Sequence, residues 1–293
     1  MLIEPLRSSA AREAAELALV RVISEYGEMP AFVVLGGLIP AILCGNSAWK
    51  HAGTTDIDVQ VDLEIASGSV DAPRLEKALQ AAGFTPAKQG NLSKGGAWRW
   101  QTKSEQGNRV EVEFDLLADR EDLPSNQIIK FQGCDHLGAA NLRGTRFASL
   151  DVEERSLQAS DGGQTKRVSV RVAGLAGFLM AKAAAAHGRS KPKDWYDIAF
   201  VLLNNDLGGV DAAVAQMNLV FPDILDGPGR TWLTELQANF SDSRSQGTEA
   251  YISQLILDHP ELDLEMPSLK FRSIPETSCE RLSKFVCMEK MKI

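Results

Sequence analysis

The chain has 293 residues, a formal net charge of −8, 44% hydrophobic and 24% charged residues, enough to bury one large core or two modest ones. The acidic balance argues against a broad nucleic-acid-binding face, and no apolar run reaches the roughly 18 residues that a membrane span needs. Four scattered cysteines without a CxxC pair speak against a zinc site or a disulfide framework, and charges interrupt the only leader-like segment, so a cytoplasmic location is expected.

In chain order, residues 9–26 carry the periodicity of an amphipathic helix. AFVVL (31–35) reads as a short buried strand, and GGLIPAILC as a glycine turn opening a short helix, with Pro40 in its first turn. DIDVQVDL alternates, with Ile57, Val59, Val61 and Leu63 on one face and Asp56, Asp58, Gln60 and Asp62 on the other. Residues 71–84 read as a helix with an Asp cap and a Gly stop. AWRWQTK and NRVEVEFDLLAD, joined by the turn-prone SEQG, predict a hairpin whose second strand sets Glu111, Glu113 and Asp115 opposite Val110, Val112, Phe114 and Leu116.

Residues 121–165 are weakly patterned, with a strand-like piece around RFASL and a glycine turn at DGGQ. Beyond RVSVRV the segments turn helical in period. The expected organisation is therefore an α+β domain over 1–167, a helical domain over 168–266, and a peripheral helix or tail over 267–293.

Side chains two apart on a strand leave from one face, so Asp56 and Asp58 can share a hard cation such as Mg²⁺. A third carboxylate on a neighbouring strand, Asp115 or its alternative Glu113, would allow two ions to clamp the oxygens of a phosphoryl transfer. The plain alternative is a solvated strand face. Successive acids on two strands with no lysine between them favour the metal reading, because clustered like charges need a cation. The pair Gly36–Gly37, between a strand and a helix start, allows close approach of a phosphate.

A third segment, KAAAAHGRSKPKDWYDI, gathers Lys182, Arg189, Lys193 and Asp194. Its plain reading is a capped, solvated helix start. Its functional reading is a set of cations for nucleotide phosphates and departing pyrophosphate. The four histidines lack ligand spacing and read as surface or structural residues.

The order GG, DID, a later strand acid, then K…R…KDWYDI resembles the nucleotidyltransferase superfamily of DNA polymerase beta, and within it the AbiEii family of abortive-infection and toxin–antitoxin nucleotidyltransferases. The resemblance covers roughly residues 30–205. It implies a mixed sheet flanked by helices and followed by a helical region that completes the nucleotide site. By position, Gly36 and Gly37 would hold the triphosphate. Asp56 and Asp58 would bind Mg²⁺, Asp115 would complete the metal site and help deprotonate the acceptor, and Lys182, Lys193 and Asp194 match the later motifs. Leu38 stands where the family has Ser or Thr.

The expected activity is Mg²⁺-dependent transfer of a nucleoside monophosphate from an NTP to a hydroxyl of tRNA or protein, by a toxin held by a cognate antitoxin. A non-catalytic nucleotide- or partner-binding member, and an antibiotic-modifying nucleotidyltransferase, are the alternatives.

Overall fold

The computed structural model describes residues 8–61, 72–87, 97–103, 110–189, 191–242 and 244–258. The SEQG turn, Asp71 and the 267–293 tail lie outside the described residues. Those described group into two compact units, drawn from Met1–Ile39 with Gly53–Phe178, and from Pro40–Ala52 with Leu179–Ile293.

The first unit opens with α1, Ser9–Tyr26. The Ser8 side chain accepts from the Ala11 N–H at 3.1 Å, and Gly27 at φ +86° ends the helix in the left-handed conformation that glycine adopts without strain. Strand β1 (Val33–Leu35) is wholly buried and runs into a 3₁₀ turn, Gly36–Leu38, then α2, Ile39–Leu43. Strand β2 is Asp56–Gln60, and α3 is Ala72–Ala81, closed by Gly83 at φ +85°. Next come β3 (Thr85–Pro86), β4 (Arg99–Lys103), β5 (Glu111–Ala118), β6 (Ile128–Lys130) and β7 (Gly138–Asn141). β4 and β5 are antiparallel, as a hairpin requires.

RFASL, read as strand-like, is instead the short helix α4, Phe147–Leu150. Gly144, at φ +87°, donates its N–H to Asp119 Oδ2 at 2.7 Å and turns the backbone. Ala148 N–H then closes a turn on Thr145 O at 3.1 Å, and extended chain resumes only at Val152. Strands β8 (Val152–Asp161) and β9 (Gln164–Ala173) form a long hairpin around Gly162 and Gly163, both at positive φ, as a tight two-residue turn demands.

The nine-stranded sheet runs β3-β4-β5-β2-β1-β9-β8, with β7 also on β5 and β6 on β7. It is mixed: β2 lies parallel to β5 and β1 parallel to β9, whereas β1–β2, β4–β5 and β8–β9 are antiparallel. Helix α1 packs on β8, β9 and α3, and Phe114 sits between Phe32 and Phe84 in edge-to-face contacts of 6.0 and 5.8 Å.

Helix α5, Leu175–Arg189, spans the division at Phe178/Leu179. The second unit continues with α6 (Pro192–Asn204), α7 (Val210–Val220), a 3₁₀ turn, α8 (Pro228–Asn239) and α9 (Gln246–Asp258). Pro192 begins α6 where a missing N–H costs nothing. Trp195 meets Phe240 edge-on, and Tyr196 stacks on Tyr251 at 6.0 Å. The architecture is thus a mixed sheet flanked by helices, followed by a helical C-terminal region. No helix among the described residues is long and apolar enough to cross a membrane.

Candidate active site

The register of three strands builds the acidic face. Asp58 on β2 pairs with Asp115 on β5, which pairs with Arg99 on β4. One step along, Asp56 pairs with Glu113, and Glu113 with Gln101. Residues paired across strands project from the same face, so acids far apart in the chain meet in two adjacent rows. The opposite face carries Ile57, Phe114 and Trp100, all fully buried.

Asp58 also faces the glycine turn. A Cβ on Gly36 would fall 1.9 Å from Asp58 Oδ2, and Gly36 has φ +77°, so glycine is required there on both counts. A Cβ on Gly37 would fall 2.8 Å from Thr54 Cβ and 2.9 Å from its hydroxyl oxygen. Leu38 is a core residue, 2% exposed. The hydroxyl standing against the glycine pair therefore comes from Thr54, whose Oγ1 accepts from the Asp56 N–H at 3.1 Å. That role has no local signature in the sequence.

Arg99 is the residue the pattern did not single out. Its Nε–H donates to Asp115 Oδ1 at 2.7 Å and its Nη2 to Asp115 Oδ2 at 2.5 Å, a two-point grip, while Nη1 lies 2.8 Å from Glu113 Oε2. Burial pushes the Asp115 carboxyl up to about 7, with the Asp58 and Glu113 charges adding to the rise and Arg99 opposing it. Burial raises Glu113 too, against the pull of Arg99.

The fit to a divalent cation divides along the same lines. Asp56 and Asp58 are hard-oxygen donors at alternate positions of one strand, half-buried, and Asp58 packs directly against the Cβ-less Gly36. Both oxygens of Asp115 already accept from Arg99. Among the described residues no three His, Cys, Asp or Glu side chains are gathered as a metal-holding group. Asp56 and Asp58 fit the ion, and Asp115 is held beside them by Arg99.

The remaining predicted residues lie in the second unit, where Lys182 and Asp194 join Asp197 in a buried chain of charge. Lys182 Nζ donates to Asp197 Oδ2 at 2.7 Å and to Asp194 Oδ1 at 3.1 Å. Arg189 grips Asp194 through Nε at 2.7 Å and Nη2 at 2.9 Å, and its side chain is 44% exposed. The other Asp197 oxygen meets His51 Nε2 at 2.9 Å, and His51 stacks on Tyr196. His51 is thus structural and buried, at 4% exposed. Burial presses the Lys182 ammonium towards neutrality, but the two carboxylates outweigh it and its pKa is raised. Burial likewise works against the Asp194 charge, yet Lys182 and Arg189 hold its pKa below the usual range. Lys193, in the first turn of α6, is half-exposed. A separate polar cleft of about 690 Å³ in this unit, lined by Trp49, Asn204, Asp206 and Asp211 among others, contains none of the predicted site residues.

Compared with curated proteins one by one, the chain finds no match. A family model does match, over residues 53–263, a span that takes in both acidic strands, Arg99 and the KDWYDI segment but begins after Gly36–Gly37. The model is that of the nucleotidyl transferase AbiEii toxins of type IV toxin–antitoxin systems, it covers most of the chain, and the chain belongs to that family.

Proposed function

We propose that this chain transfers a nucleoside monophosphate from an NTP to a hydroxyl group of tRNA or protein, with Mg²⁺ as its cofactor and a cognate antitoxin restraining it. The observation that carries the reading is the strand row Asp58–Asp115–Arg99 with Gly36 pressed against Asp58. An acidic, half-buried row beside a turn without side-chain bulk suits a polyanion that arrives with its own metal ion.

Asp56 and Asp58 would hold Mg²⁺, which when bound supplies charge neutralisation for the triphosphate. Gly36 and Gly37, packed against Asp58 and Thr54, would present their backbone to that triphosphate. Asp115, with its carboxyl raised towards neutrality by burial and kept in one orientation by Arg99, is the group suited to take the proton of the acceptor hydroxyl. Of the predicted residues in the second unit, Arg189 and Lys193 are the cations with exposed surface that would suit phosphate. Lys182 works through Asp194 and Asp197, holding both in place.

The test is incubation of the full chain with α-labelled NTPs, Mg²⁺ and either total tRNA, a protein lysate or an aminoglycoside. Label is expected on tRNA or protein, and Asp58→Ala is expected to reduce it to background. Nucleotide binding without transfer to any acceptor refutes the catalytic reading in favour of a binding role, and transfer to the aminoglycoside alone refutes the macromolecular acceptor.

A further inference from the structure

Asp115 has the position of a third metal ligand and the surroundings of an ion-pair partner. A third carboxylate that serves a second metal ion must offer that ion an oxygen. Here each oxygen accepts from a different nitrogen of one planar guanidinium, at 2.7 and 2.5 Å. That fork geometry matches a carboxylate edge to edge, which the ammonium of a lysine cannot do. The guanidinium is held on its other sides as well. Its third nitrogen lies 2.8 Å from Glu113, and the Trp98 ring lies 4.7 Å from Cζ. Arg99 is also paired in register with Asp115, so its backbone cannot move away without breaking the β4–β5 ladder. Its charge acts on Asp56 in addition to Asp115 and Glu113.

We propose that Arg99 is the resident second cation of the acidic strand face, so that the chain binds one divalent ion, through Asp56 and Asp58, rather than two. The inference rests on the divalent-cation reading given above. A fixed positive charge beside Asp115 repels a second divalent ion and removes the ligand it would use. It also keeps Asp115 oriented when no metal is bound, which a site built from metal ligands alone cannot do.

The experiment counts Mn²⁺ bound to the full chain by the electron paramagnetic resonance signal of the free ion. About one Mn²⁺ per chain is expected for the wild type. About two are expected for Arg99→Gln. Two ions on the wild type, or no gain in Arg99→Gln, overturns the assignment and leaves the metal reading standing. No binding in any variant overturns both. A near-ultraviolet circular dichroism spectrum like that of the wild type verifies that Arg99→Gln folds. If it does not, the Nε–H signal of Arg99 in ¹⁵N-labelled wild type decides. It should keep its position through saturation with Mg²⁺, and its loss overturns the proposal.

Discussion

Replacing Lys182 with Met isolates what the buried charge chain of the second unit contributes. The lysine ammonium sits 2.7 Å from Asp197 and 3.1 Å from Asp194, with its side chain 7% exposed and theirs 1% and 0%. At an effective dielectric of about 20, each contact amounts to roughly 5 or 6 kcal/mol before desolvation is counted, and desolvation takes back several kcal/mol per ion. Removing one member of a buried pair generally costs about 3–5 kcal/mol, because the partner charge stays behind. Here the partners keep some support: Asp194 retains the two-point grip of Arg189, and Asp197 retains His51. The expected loss is therefore at the lower end, about 3 kcal/mol. At about 3 °C per kcal/mol, the melting midpoint followed by far-ultraviolet circular dichroism should fall by about 10 °C. Adding Asp197→Asn to Lys182→Met removes the stranded charge and should restore part of that loss. A fall of less than about 3 °C, or a double variant no more stable than the single one, would show that these side chains are solvated and would refute the reasoning.

Gly36→Ala should lower stability by about 2 kcal/mol or more, since it combines positive φ with a Cβ 1.9 Å from Asp58 Oδ2, whereas Gly188→Ala, in the last turn of α5 with open space around it, should raise stability by up to about 1 kcal/mol; urea denaturation compares the two. Burial, with the Asp206 charge adding to it, pushes the Cys44 thiol up to about 12. In the native chain Cys44 should therefore stay inert to a thiol reagent at pH 8 and react only on unfolding, which a reagent-release assay with and without denaturant measures. Asp161 accepts from Arg21 and Lys166, and those bonds lower its carboxyl from 3.8 to about 2. Because the folded value lies below the unfolded one, the contribution to stability is present above about pH 4 and is lost as pH falls towards 2. Arg21→Ala should move the value upwards, read by NMR titration of the carboxyl carbon; an unchanged midpoint would refute the pairing.

The elements with strong local patterns were legible. Helix α1 announced itself by its period, and the structure ends it at Gly27 in the left-handed conformation. Strands β2 and β5 showed in their alternation. Their pairing did not, because a parallel ladder between residues 56–60 and 113–117 leaves no local mark. The same holds for Arg99, which read as one more residue of a hairpin strand. Only the register of β4 on β5, and then of β5 on β2, puts it among the acids. RFASL misled because five residues are too few to show a period, while a hydrogen bond from Gly144 to Asp119 decides the local path. Most of β8 escaped notice since VEERSLQASD is largely exposed and carries little apolar periodicity. His51 looked incidental because no ligand spacing surrounds it, and its partner Asp197 is 146 residues away.

The excursion of residues 40–52 has a consequence for how the protein can be taken apart. The chain leaves the first unit after Ile39, returns at Gly53 and leaves again after Phe178, so three covalent crossings join the two units. A cut after Phe178 would not release an intact first unit. It would keep the 40–52 segment while discarding the groups that order it: Asp197 on the His51 ring, the Tyr196 hydroxyl on the Ala52 N–H, and the Asp206 carboxylate on the N–H groups of Gly45 and Asn46. The strand that bears Asp56 and Asp58 begins only four residues beyond that segment's end at Ala52. Fragments meant to carry the acidic face alone would thus enter it through a stretch stripped of its hydrogen-bond partners.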